Sequence, residues 1–585
     1  MTMKSHHLRG LALLAAGLAI GAPGLAHAQY VSYGDMGGGS GMDGAASSGD
    51  SDAESGDDGA LDAVPLAKHG GRVKVTPYIE ASQVMLAELS PGNDVLTYTS
   101  IAAGADVALD GRNTQGALSL RYERRFGWGK DTSDSDTLSG LARVSTAIVP
   151  RTLTIEAGAL ASRMSVENNG AAVSGLEFGD SVTQIYSVYA GPSLQTRAGD
   201  VDISAQYRIG YNRVESPNSL SIAPGQPLVD VFDDSVVHNA QVHAGTRAGE
   251  LLPVGIGVGA GWNREDVSNL DQRIDDKHLR ADITIPVGHD LALVGGVGWE
   301  NVKISSRDAV RDPVTGLALR GPDGRYVTDK SQPRVLAYDA EGLIWDAGVI
   351  WRPSRRTALE AHVGKRYGST SYYGSFAYAP SPRTSINVSV YDNVAGFGGM
   401  LNQSLANLPT QFEAVRNPLN GDLNGCVAPT GTVSAGQSSC FGGALGSVRS
   451  SAFRARGVMA SVGVGGNRLQ YGVGGGYDRR KFIAAPGTVL ALANGVVDEN
   501  VWVAAYLNGR IDRDSSFGTN VWANWYQSGD ALTGDSSSIG ATAAYYRSIT
   551  NHLTATAAVG VDGVSRDLVD DVWSAQAMVG VRYSF

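Results

Sequence analysis

Between Ser119 and Gly129 the chain reads SLRYERRFGWG, with Arg121, Glu123 and Arg125 at alternate positions. Alternation is the spacing that puts side chains on one face of a β-strand. Arg208, Arg247, Arg280 with Asp282, Arg366, Arg510 and Arg582 share the polar phase of their own segments, as do Glu156, Asp202, Asp346, Glu360 and His362. Arginines aligned on one face could guide an anionic chain through charge-assisted hydrogen bonds. Aromatics placed on the same phase (Trp502, Tyr506, Trp522, Tyr526, Tyr372, Tyr378) could stack on sugar rings. The acids nearly match the arginines, so the same groups could instead satisfy one another as salt bridges.

Other chemistry is sparse. Cys426 and Cys440 are the only cysteines and lie in the longest stretch without a strand pattern, roughly 397–448. In an oxidising compartment a disulfide between them would close about 14 residues. That loop could fold inward as a constriction or sit outside as a lid. His238, His243, His278, His362 and His552 are scattered, and no G-x-S-x-G sequence stands in a strand-turn-helix context. The Gly-rich run near Gly457–Asn467 lacks the Lys-Ser/Thr and helix of a phosphate loop. No catalytic activity, cofactor or metal is expected.

The elements that carry these residues are strands. From Arg72 onward, segments of roughly 10 to 15 residues alternate apolar with polar or small side chains. In the last segment Trp573, Ala575, Ala577, Val579, Val581, Tyr583 and Phe585 share one face, and Ser574, Gln576, Met578, Gly580, Arg582 and Ser584 share the other. Leu279–Val287 and Val201–Tyr211 alternate in the same way. Short connections (110–113, 149–152, 465–467, 549–551) take turns with long ones (168–183, 216–234, 306–335, 396–448, 485–496). Short turns on one rim and long loops on the other are the pattern of outer-membrane barrels. The spacing predicts an all-β fold, a large antiparallel transmembrane β-barrel of about 22 strands over residues 72–585. Trp128, Trp299, Trp351, Tyr367, Trp525 and Tyr583 are placed to form interfacial girdles.

The N-terminus has a different character. Lys4 and Arg9, the apolar run Leu11–Ile20 and Ala26-His27-Ala28 read as a signal peptide, residues 1–28. Residues 29–71 are rich in Gly, Ser and Asp without periodicity and read as a disordered periplasmic tether. The formal charge of −11 belongs mostly to that tether. Setting aside Lys4, Arg9 and the eight acids of 29–65 leaves 45 basic against 50 acidic groups. The balance excludes a nucleic-acid partner. A TonB-dependent receptor also has 22 strands, but it needs a folded plug domain ahead of the barrel, and residues 29–71 do not provide one. The closing Val581, Tyr583 and Phe585 form a terminal aromatic signal of the kind read by the barrel assembly machinery. Outer-membrane lipid is the other expected partner, and the cell outer membrane the expected location.

Three stretches, PYIEASQV (Pro77–Val84), TYTSIAAGAD (Thr97–Asp106) and SLRYERRFGWG, together with Arg352–Asp392, resemble the outer-membrane barrels associated with PEP-CTERM sorting and exopolysaccharide systems. The resemblance implies a link to polysaccharide secretion, with polysaccharide as a partner, and carries no catalytic residues. The expected function is a conduit or accessory for exopolysaccharide export. The alternatives are a general diffusion porin and a structural or adhesive surface barrel plugged by the 397–448 loop.

Overall fold

The computed structural model describes residues 72–585 apart from 129–133, 167–171, 174–181, 216–231, 323, 382, 430–443, 446, 467, 531–533 and 568–569. The signal peptide and tether lie outside the described residues, as does Cys440. The Cys426–Cys440 pairing therefore falls outside what is described.

Twenty-two antiparallel strands close into one barrel. Sequence neighbours pair along the whole chain. The first strand, Arg72–Ser90, then pairs with the last, Val572–Ser584, with Ile79 opposite Tyr583 and Val84 opposite Met578. Closure removes every sheet edge, and in lipid each backbone polar group must find such an internal partner. Ten connections on the rim that holds Arg72 and Phe585 span only two to eight residues; this is the periplasmic rim. The opposite rim carries the long ones, including 307–334 and 396–452. Six of its connections, 91–94, 129–134, 268–271, 367–368, 528–535 and 567–571, are as short as the periplasmic turns, so the alternation of short and long is less regular than the sequence suggests.

The usual burial rule is inverted. On the last strand the apolar phase faces out, with Val579 63% and Phe585 65% exposed, while Ser574 is 0% and Gln576 4% exposed. Leu279 and Val559 likewise point outward, and their neighbours Arg280 and Ala558 point inward. A continuous apolar exterior around a polar interior is stable only with lipid outside. The chain is an outer-membrane β-barrel.

Outward Trp128, Trp299, Trp525 and Tyr583 agree with the girdle phase. Tyr367 does not. It sits in the tight Arg366–Ser369 hairpin at φ 53° and turns inward, 4% exposed, with its N–H donated to Glu300 Oε1 at 2.6 Å. That hairpin also resets the phase of the next strand. Tyr372 stands opposite Val363, and both it and Tyr378 face lipid rather than the lumen. Trp502 and Tyr526 do face inward and are buried.

Candidate functional site

The lumen is filled by the chain itself. The described parts of the longest connection, 396–429, 444–445 and 447–452, fold back into the barrel. They begin with the one α-helix among the described residues, α1 (Phe397–Ala406), followed by a short hairpin, Phe412–Arg416 with Leu423–Pro429.

Helix α1 lies against the inner wall formed by strands 153–166, 182–198, 201–215 and 234–246. Phe397, Leu401, Leu405 and Leu408 repeat at near-helical spacing and form one apolar stripe. The stripe packs on Leu160, Ile185, Val214 and Phe232, all buried. The rings of Phe232 and Phe397 meet at 4.9 Å between centroids. At the start of the helix, Glu265 accepts the backbone N–H of Gly396 at 2.9 Å. A carboxylate there satisfies an otherwise unpaired donor and complements the helix dipole. Asn402 donates to Ser187 Oγ at 2.7 Å. Its seat depends on Gly210, because a Cβ at that position would fall 1.4 Å from the Asn402 carboxamide oxygen.

The hairpin shares the apolar core around α1 through Phe412, Leu423 and Val427, and crosses the lumen to other parts of the wall, where polar contacts add to its hold. Arg416 donates to Ser139 Oγ at 2.7 Å and Ser119 Oγ at 3.1 Å. Asp422 pairs with Arg163 at 3.1 Å, and the Asn420 carbonyl accepts from Arg125 at 3.4 Å. At the turn Leu419 enters an apolar recess of Val84, Tyr98, Ala544, Ala558 and Met578. Gly560 leaves the room for it, since a Cβ there would meet Leu419 Cδ1 at 2.5 Å. Above the insert, Arg307 and Arg334 both pair with Asp271, at 2.8 and 3.3 Å, and Arg325 with Asp233 at 3.4 Å. These ties hold the 307–334 loop to the outer ends of neighbouring strands.

Most of the charged residues singled out from the sequence face this lumen, and they face it as pairs. Arg121 meets Glu80 at 2.6 Å and Glu123 at 3.0 Å, and Arg125 meets Glu123 at 2.6 Å. Arg208 and Arg143 share Glu156 at 3.6 and 3.5 Å. Arg280 bridges Asp346 at 2.8 Å and Asp282 at 3.1 Å. His362 stands between Asp346 and Glu360, at 3.0 Å from each. Arg366 meets Asp276 at 3.0 Å. Arg247, Arg510 and Arg582 share the phase but sit at the periplasmic rim. Arg247 pairs with Asp202 at 2.7 Å and Arg582 with Asp106 at 2.9 Å, while Arg510 is exposed. Of the two readings open in the sequence, the structure shows the salt bridges. The interior is braced and near neutral. Among the described residues no three His, Cys, Asp or Glu converge as a metal site.

The residues that hold the insert, Glu265, Asn402, Arg163, Asp422 and Leu419, were not anticipated. One signal for them was present: the helical repeat of Phe397, Leu401, Leu405 and Leu408 inside a segment read as loop.

These features define a class, an outer-membrane barrel closed by an insertion from one of its own outer loops. No family model and no curated protein matches the chain. Among solved structures it is similar to the FrpB iron transporter from Neisseria meningitidis (F5-1 variant), at 11% identity and TM-score 0.41 over 87% of this chain and 82% of that one. It is also similar to the ferric-catecholate import receptor Fiu from E. coli K12 in its open form, at 10% identity and TM-score 0.39 over 87% and 81%. A third is the alcaligin outer-membrane receptor FauA from Bordetella pertussis, at 13% identity and TM-score 0.34 over 87% and 76%.

Proposed function

We propose that the barrel is a gated conduit of the outer membrane, closed at rest by the 396–452 insert, and that its cargo is an exopolysaccharide chain. The observation behind the gate is the mixed seating of the hairpin. Phe412, Leu423 and Val427 share the apolar core around α1, but the turn beyond them reaches the wall through the Arg416 hydrogen bonds, the Asp422–Arg163 pair and the single apolar side chain of Leu419. A neutral hydrogen bond exchanged for water costs about 0.5–1.5 kcal/mol. The hairpin is in this reading the part that leaves while α1 stays. The polysaccharide reading is supported by the resemblance at Pro77–Val84, Thr97–Asp106, Ser119–Gly129 and Arg352–Asp392, and by a lumen lined with polar but charge-balanced groups. A filled lumen disfavours a general diffusion porin. The last strand, with Val581, Tyr583 and Phe585 on its outer face, is proposed as the segment read by the assembly machinery.

The apolar core around α1 favours one second reading, a permanently plugged structural or adhesive barrel. Planar-bilayer conductance of the full chain and of a variant lacking residues 409–429, combined with secreted polysaccharide in a knockout strain, separates the two. The conduit gives low conductance that rises on deleting the hairpin, and a knockout that loses surface polysaccharide. Normal secretion from the knockout would reject polysaccharide export and leave the structural barrel.

A further inference from the structure

Beside α1 the lumen holds a cavity of about 100 Å³, lined by Arg208, Asn239, Gln241, Asn263, Asn393 and Gln403 among others. One water needs about 10–15 Å³ on this scale, so the space takes several waters or one sugar ring in their place. The register explains why these side chains converge. Arg208 stands opposite Asn239, Asn239 opposite Asn263, and Asn263 opposite Asp276. They form one row across four strands, about 4.8 Å from strand to strand. In the next row Gln241 faces Gly261, which faces His278. Gln403 of α1 and Asn393 of the strand that leads into α1 also line the space.

The two ends of the first row are already matched, Arg208 by Glu156 and Asp276 by Arg366. The carboxamides in the middle, Asn239, Gln241, Asn263 and Gln403, are half-buried, and the buried Asn393 Oδ1 has no protein partner. Each carboxamide offers donors and an acceptor without net charge. Hydroxyl groups, which also donate and accept, are the chemistry that satisfies such a set. Phosphates or carboxylates would leave the acceptor oxygens facing anions.

We infer that this cavity is a binding site for a neutral, polyhydroxylated ring, a single sugar unit held between the wall and α1. The inference rests on the conduit reading for how the sugar arrives. Because Gln403 belongs to α1, the part of the insert that stays seated when the hairpin leaves, the site is whole in both states of the gate.

The test is saturation-transfer NMR and titration on the detergent-solubilised full chain. The probes are glucose, galactose, mannose and N-acetylglucosamine, with galacturonate as the anionic comparison. At least one neutral sugar is expected to bind, and galacturonate more weakly. Asn239→Ala/Gln241→Ala should weaken that binding about tenfold, the effect of losing two ordinary hydrogen bonds. Should that pair fail to fold, as judged by heat-modifiable gel migration, Gln403→Ala on the helix serves alone with a smaller loss. Absence of binding by every neutral sugar, tighter binding of galacturonate, or affinities unchanged in the variants would each overturn the site. The two proposals fail separately. A barrel that conducts on hairpin deletion but binds no sugar removes only the site. One that binds sugar but never conducts removes only the conduit.

Discussion

Arg163, on the inner wall, donates from Nε and Nη2 to one carboxylate oxygen of Asp422 at 3.2 and 3.1 Å, joining residues 259 positions apart. Both side chains are largely buried. This contact fixes the tip of the hairpin to the strand Leu153–Val166.

Removing one partner of a buried pair leaves the other charge uncompensated, at a cost of about 3–5 kcal/mol. Asp422→Asn should therefore loosen the hairpin and raise the open fraction in single-channel recordings. Replacing both, Arg163→Met with Asp422→Leu, should recover much of the closure. Recordings in which Asp422→Asn behaves as wild type would mean that the pair does not hold the gate.

A methyl group at Gly210 collides with the Asn402 carboxamide. Gly210→Ala should unseat α1 at about 1–3 kcal/mol, the usual cost of overpacking. Adding Asn402→Ala removes the obstacle and should restore the seat. Protease sensitivity of the 396–452 insert in intact membranes measures both. Equal resistance in all three proteins would contradict the close approach.

Leu419 and Gly560 form a matched bump and hollow. Leu419→Ala should cost about 2–5 kcal/mol of hairpin docking by leaving a cavity. Gly560→Ala alone should also weaken docking, because its Cβ needs the space of Leu419 Cδ1. Combined, the two should be less harmful than their sum, with a coupling of about 0.5–3 kcal/mol in a double-mutant cycle. Strict additivity would show that they do not touch in the membrane.

The inverted faces can be checked near the middle of one strand. Leu279 faces lipid and Arg280 the lumen. Leu279→Arg should destabilise the barrel by about 2–4 kcal/mol at the midplane, read from equilibrium unfolding in lipid vesicles. Leu279→Val should be nearly silent. A tolerated arginine would place this strand in the wrong phase.

The alternation of side chains by itself determined the strand count, the closed barrel and the faces of strands such as Val572–Ser584. A period of two needs only local order, and lipid outside rewards one phase along the whole strand. Where a tight turn intervened, at Tyr367 and Gly368, local reading lost the phase, and Tyr372 and Tyr378 were assigned to the wrong face. The lumen partners were out of reach for a different reason. Which acid meets Arg280 or Arg163 depends on register across non-adjacent strands and on closure of the first strand with the last. Only the tertiary structure decided that α1 and the hairpin of residues 412–429 enter the barrel. The apolar stripe of α1 is too short to fold alone, and the surface that buries it exists only once the surrounding strands have formed a concave wall.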